Sequence, residues 1–214
     1  MRSRLPRPVL LTLMTVVLMA LSTSSAASNG PKATKLVPYT ATQDATVSSA
    51  RPDANFGQRL RLSVRAHDPI LRTYIRFDLH HPIDPGLVWS VLLTVNSPTG
   101  DRCLNELRDV DVYAVGDNWS EDTITYNNAP RPVAFDTSAD TFGPGTVVFD
   151  VTANFTDTDV ATYLLEMPAD CDEPGFGEPG DLAGATTFKS SESATGGPTL
   201  EVEYCRPNHS DELC

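Results

Sequence analysis

The 214-residue chain reads as an all-β, antiparallel β-sandwich. Three observations predict this. Short apolar runs alternate with polar residues at period two, Pro, Gly, Asn and Asp separate the runs, and no long segment repeats at the helical period. One-faced alternation suits an antiparallel sheet with one side on a core and the other in water.

The strands follow in order. Arg59 to Arg65 sets Leu60, Leu62 and Val64 on one face and Arg59, Arg61, Ser63 and Arg65 on the other. Leu71 to Leu79 turns Leu71, Ile75, Phe77 and Leu79 inward and Arg72, Tyr74, Arg76 and Asp78 outward. Leu87 to Val95 turns Leu87, Trp89, Val91, Leu93 and Val95 inward. Val110, Val112 and Ala114 mark another strand, as do Val147, Phe149 and Val151, and finally Leu200, Val202 and Tyr204. Weaker strands are expected near 44–48, 123–126, 162–167 and 185–189, for nine or ten in all. Phe155, Val160 and Leu164 fit a short helical turn within 153–164. The stretch 170–184, rich in Pro, Gly and acids, reads as a surface insertion.

The ends carry different signals. Residues 1–27 have the form of a secretory signal: Arg2, Arg4 and Arg7, an apolar stretch from Val9 to Leu21, then small residues ending at Ala27. The apolar stretch is too short to span a bilayer, so no membrane insertion is expected. Residues 28–40 read as a short polar leader, 41–204 as the sandwich domain and 205–214 as a cysteine-bearing tail. Removing 1–27 takes three of 16 basic residues and none of 28 acidic ones, leaving 13 against 28, a net charge of −15. Such a chain repels nucleic acid and anionic lipid overall. The four cysteines, Cys103, Cys171, Cys205 and Cys214, suit disulfides in an exported protein, and three pairings are open. Pairing Cys205 with Cys214 would pin the tail and leave Cys103 with Cys171.

No enzyme signature stands out. His67, His80, His81 and His209 lie in no catalytic or metal-binding pattern, and nucleophile-elbow, zinc-protease, phosphate-loop and dinucleotide motifs are absent from the sequence. A pair of glycosidase carboxylates drawn freely from 28 acids carries no information. A non-catalytic chain is expected, with no required cofactor.

One local feature opposes the global charge. Between Arg51 and Arg76 stand six arginines and only two acids, Asp53 and Asp68, a local sum of +4. If the strands at 59–65 and 71–79 pair as a hairpin, Arg59, Arg61, Arg72, Tyr74 and Arg76 share one outer surface. Guanidinium groups grip carboxylates and sulfates in bidentate fashion, and a tyrosine ring packs on a sugar face. These five residues are the candidate ligand surface, with Tyr126 as an outlying aromatic. The run Trp119-Ser120-Glu121-Asp122-Thr123-Ile124-Thr125-Tyr126-Asn127-Asn128-Ala129-Pro130 also holds sugar-friendly groups. Large aromatics are usually buried, so Trp119 is expected to pack, with Glu121 and Asn128 bracing the turn.

That run has company in a fixed order. Asp44-Ala45-Thr46-Val47, Asn55-Phe56-Gly57 and Tyr74-Ile75-Arg76-Phe77-Asp78-Leu79 precede it. Phe149-Asp150-Val151-Thr152, Ser191-Glu192-Ser193 and Pro198-Thr199-Leu200-Glu201-Val202-Glu203-Tyr204 follow. Together they resemble the disaggregatase-related (DNRLRE) domain, also classed as carbohydrate-binding module family 96. The resemblance covers about residues 41–204. It implies a β-sandwich of jelly-roll type that binds extracellular polysaccharide, alginate-like acidic glycans among them. The resulting expectation is a secreted carbohydrate-binding module for an anionic polysaccharide. The alternative is a structural or adhesive surface protein without a specific glycan ligand. Asp44, Asp78, Asp150 and Glu192 are the acids inside these motifs, and they are the set a structural calcium would draw on. Asp150 has a second reading, as an acceptor of backbone hydrogen bonds at a strand end.

Overall fold

The alternating runs do become strands. The computed structural model describes residues 34–66, 68–97, 109–140, 144–156, 159–168 and 185–205. The expected signal, residues 28–33, His67, the 170–184 insertion, Cys103, Cys171 and residues 206–214 with Cys214 lie outside the described residues. Among the described residues there is no α-helix, and none is long and apolar enough to cross a membrane.

Eleven strands are described: β1 (Thr34–Thr40), β2 (Gln43–Ser48), β3 (Arg61–Val64), β4 (Leu71–Asp78), β5 (Val88–Ser97), β6 (Asp109–Val115), β7 (Pro132–Asp140), β8 (Gly145–Asp150), β9 (Val160–Glu166), β10 (Thr186–Lys189) and β11 (Thr199–Cys205). All pairings are antiparallel. One sheet runs β1-β11-β5-β8, another β2-β4-β9-β6-β7, and β10 pairs with β3. All three sheets feed one core. It takes Val91 and Leu93 from β5, Leu200 and Val202 from β11, Ile75 and Phe77 from β4, Leu165 from β9, and Leu62 and Phe188 from β3 and β10. This is the sandwich that the period-two patterning predicts.

The opposite face of the five-stranded sheet is covered too. Tyr74 and Leu164, one residue away from Ile75 and Leu165, point to the other side. They join Ala45, Val47, Val115, Trp119 and Ile124 in a second buried cluster. The cover is the 119–130 segment, which is a chain of turns rather than the strand expected at 123–126. Its amides bond locally: Ile124 N to Ser120 O at 2.9 Å and Ala129 N to Thr125 O at 2.9 Å.

Several expectations change. Two strands, β1 and β7, were not legible in the sequence. β1 occupies the end of the stretch expected as leader and pairs with β11 at seven positions. On β1 only Val37 and Tyr39 face the core, and Leu36 between them points out at 57 % exposure; on β7 Val133 and Phe135 also point out, so the inner rows are short or weakly apolar. Leu60 is exposed because β3 starts one residue later. Trp89, expected inward, is 56 % exposed. Glu203 pairs with Ser90 and Tyr204 with Val88, so Trp89 is the extra residue of a bulge, which re-aims its side chain. Where a helical turn was expected within 153–164, the described residues show a 3-10 turn at Thr152–Asn154, and β9 takes over at Val160.

Candidate functional site

The two arginine-bearing strands do not form a hairpin. β3 pairs with β10, β4 lies between β2 and β9, and a single bridge, Arg65 to Leu71, joins the two. The expected five-residue surface is thereby divided.

On β4 the outward side chains are absorbed by the covering segment. Tyr74 is 2 % exposed; its ring meets Trp119 edge-on at 5.9 Å and its hydroxyl donates to Pro130 O at 3.0 Å. Burial pushes its phenol up to about 12. Arg76 donates through Nη1 to Asp117 O at 2.9 Å and Trp119 O at 3.1 Å, tying the segment to the sheet. Arg72 Nε bonds Glu166 Oε2 at 2.7 Å, and its guanidinium lies 5.7 Å from the centroid of the half-buried Tyr126 ring. The outward parity was right, but this face is not open to a ligand. Arg76→Ala is expected to cost about 1–2 kcal/mol through the lost charge-assisted bonds. Thermal melts followed by circular dichroism measure this directly.

Arg59, just before β3, and Arg61 on it remain accessible. Arg59 stacks its guanidinium 4.2 Å from the Phe56 ring centroid, a cation–π contact. Arg61 faces solvent, and its register partner on β10 is Lys189. Two like charges directly opposite on neighbouring strands repel. No carboxylate is recorded in an ion pair with Arg59, Arg61 or Lys189 among the described residues. By contrast, a pocket of about 280 Å³ beside Gly116 and Tyr163 is lined by one carboxylate, Asp117, and by no basic side chain. It offers an anion no counter-charge.

The motif acids separate into two kinds. Asp78 accepts from His80 N at 2.9 Å, and Asp150 accepts from Thr152 N and Oγ1 at 3.0 and 2.6 Å. Asp150 thus takes the strand-end role. Asp44 and Glu192 instead converge with Glu121, with one carboxylate oxygen from each lying within 4.8 Å of the others. Three segments meet there: the edge strand β2, the 119–130 cover and the turn after β10. Asp44 is fully buried and takes Ser191 N on Oδ2 at 2.6 Å; Glu192 Oε1 takes Ser191 Oγ at 2.7 Å. Burial, reinforced by the Glu192 charge, raises Asp44 to about 7 against the hydrogen bond from Ser191. Burial and then Glu192 raise Glu121 to about 8. Burial also opposes ionisation of Glu192, but hydrogen bonds, chiefly from Ser191, outweigh it and hold that carboxyl below its usual range.

The backbone of Glu121 is fixed from several sides. Asn55 Nδ2 donates to Glu121 O at 2.6 Å and Ile124 O at 2.8 Å, and Glu121 N donates to Gln43 Oε1 at 3.0 Å. Asn128 braces the turn as expected, accepting from Thr125 N at 2.6 Å and donating to Thr123 O at 2.9 Å. Glu121 does not: its side chain reaches the Asp44–Glu192 pair. The usable signal in the sequence was that each of these acids stands in a different motif of the ordered set. Cys205, fully buried, ends β11, and the other three cysteines lie outside the described residues.

No curated protein matches the chain. The ordered motifs, the sandwich and the covering segment all fall inside one matched region. The chain belongs to carbohydrate-binding module family 96, whose model matches residues 35–204, from Lys35 in β1 to Tyr204 in β11.

Proposed function

We propose that this chain is a secreted, non-catalytic module that binds an anionic extracellular polysaccharide along the β3–β10 strip. The observation that carries the reading is the unneutralised pair Arg61 and Lys189, set opposite each other beside Arg59 on Phe56. A like-charge pair with no ion-paired acid gains from an anion placed across it, and a polyuronate or sulfated glycan supplies a row of them. The surrounding chain is strongly acidic, so this strip is where such a polymer meets least repulsion. Secretion is supported by the form of residues 1–27, and disulfides involving Cys205 would suit that compartment.

Affinity electrophoresis through gels containing alginate, a sulfated glycan or a neutral glucan tests the reading. Retardation is expected in the anionic gels and is expected to weaken with added salt. The Arg59→Ala/Arg61→Ala variant should lose at least tenfold in affinity while melting like the parent protein. Unchanged retardation of that variant, or equal retardation by the neutral glucan, would remove the strip from the proposal. Arg72 and Arg76 are unsuitable for this test, because their loss loosens the fold.

A further inference from the structure

Three carboxylates gathered from residues 44, 121 and 192 need a reason to stay together. Each contributes an oxygen shielded from solvent and without a hydrogen-bond partner: Asp44 Oδ1, Glu121 Oε1 and Glu192 Oε2. Asp44 is 0 % exposed, so bulk solvent does not reach its unpartnered oxygen. Ser190, also 0 % exposed, sets its hydroxyl beside the Glu192 carboxylate. Buried polar atoms are nearly always satisfied, so three orphaned carboxylate oxygens in one place indicate a missing partner. That partner is positive, because acceptor oxygens converge here and the charges acting on Glu121 are those of other acids, Glu192, Asp44 and Asp122. Among the described residues no lysine or arginine is recorded in an ion pair with any of the three.

We propose that Asp44, Glu121 and Glu192, with Ser190 Oγ at the margin, bind one calcium ion that fastens the 119–130 segment and the turn after β10 to the edge of β2. The donor set is all oxygen and predominantly anionic, which suits a hard cation, and calcium accepts the irregular geometry of three separate segments better than magnesium does. The supports are already placed. Ser191 orients both Asp44 and Glu192, while Asn55 and Gln43 hold the Glu121 backbone. The calcium set read from the motifs is thus half retained: Asp44 and Glu192 stay, Glu121 enters, and Asp78 and Asp150 serve their own turns.

The test uses the purified protein after dialysis against EGTA. Calorimetric titration with CaCl₂ is expected to show one ion per chain, and calcium is expected to raise Tm by several degrees. Glu121→Gln and Glu192→Gln should each weaken calcium binding at least tenfold, and Asp150→Asn should leave it unchanged. Absence of both heat and a Tm shift at millimolar calcium in the parent protein would overturn the proposal. So would full calcium binding by both glutamine variants, or its loss in Asp150→Asn. If one glutamine variant does not fold, the other and the parent protein still decide.

Discussion

Trp119→Ala is expected to destabilise the protein by about 3–5 kcal/mol, the range for truncating a buried aromatic. Trp119 is 8 % exposed and sits in the second cluster with Ala45, Val47, Tyr74, Ile124 and Leu164. Truncation removes its edge-on contact with Tyr74 and leaves a void between the sheet and its cover. The cover cannot readily collapse into that void, because Arg76 holds the carbonyls of Asp117 and Trp119, and Asn55 holds those of Glu121 and Ile124. A partly relaxed cavity gives the upper end of the range. Guanidinium unfolding curves measure the loss. Fluorescence gives an internal check, since the chain has two tryptophans and the other, Trp89, is 56 % exposed. Emission from Trp119→Ala should be red-shifted and readily quenched; that from Trp89→Ala should be blue and protected. A Trp119→Ala protein as stable as its parent would mean that the segment is not docked on β4.

Much of this fold was legible because its strongest strands have one apolar row each. Leu62 and Val64, Ile75 and Phe77, Val91, Leu93 and Val95, and Leu200 and Val202 all reach the core that their alternation predicts. Trp119 packs and Asn128 braces its turn, as residue size and amide chemistry suggested. The misses have a common cause: the deciding partner is distant in sequence. Parity placed Arg72, Tyr74 and Arg76 on the outer face, but only the arrival of residues 117–130 closes that face. Glu121 lies 77 residues from Asp44 in sequence and 71 from Glu192, so no local spacing announces the cluster. Trp89 follows the inner period, and only the slip in register against β11 turns it out. The Arg61–Lys189 pair likewise exists only once β3 and β10 are neighbours.

Gly57→Ala is the second variant expected to matter, and it tests whether the cover and the acid cluster are one unit. Gly57 is buried beneath Glu121. A Cβ there would collide with the Glu121 carbonyl oxygen and lie 2.5 Å from its Cγ and 3.0 Å from its carbonyl carbon. Backbone is struck first, so no rotamer change relieves the clash. The Asn55 side chain, which receives Gly57 N at 3.2 Å, grips that same carbonyl and keeps it from retreating. Overpacking of this kind costs about 2–3 kcal/mol, which in a domain of this size lowers Tm by roughly 4–12 °C. Gly116→Ala is the matched control: a Cβ there meets nothing within 4 Å, so the same chemical change should be neutral or slightly stabilising. The contrast has a second consequence. Displacing Glu121 moves one of the three carboxylates, so Gly57→Ala should lose its Tm response to calcium, while Gly116→Ala should keep it. If Gly57→Ala melts like Gly116→Ala, the close approach of Asn55-Phe56-Gly57 to Glu121 does not exist in solution. The 119–130 segment would then be held by Arg76, Trp119, Tyr74 and Gln43 without that loop.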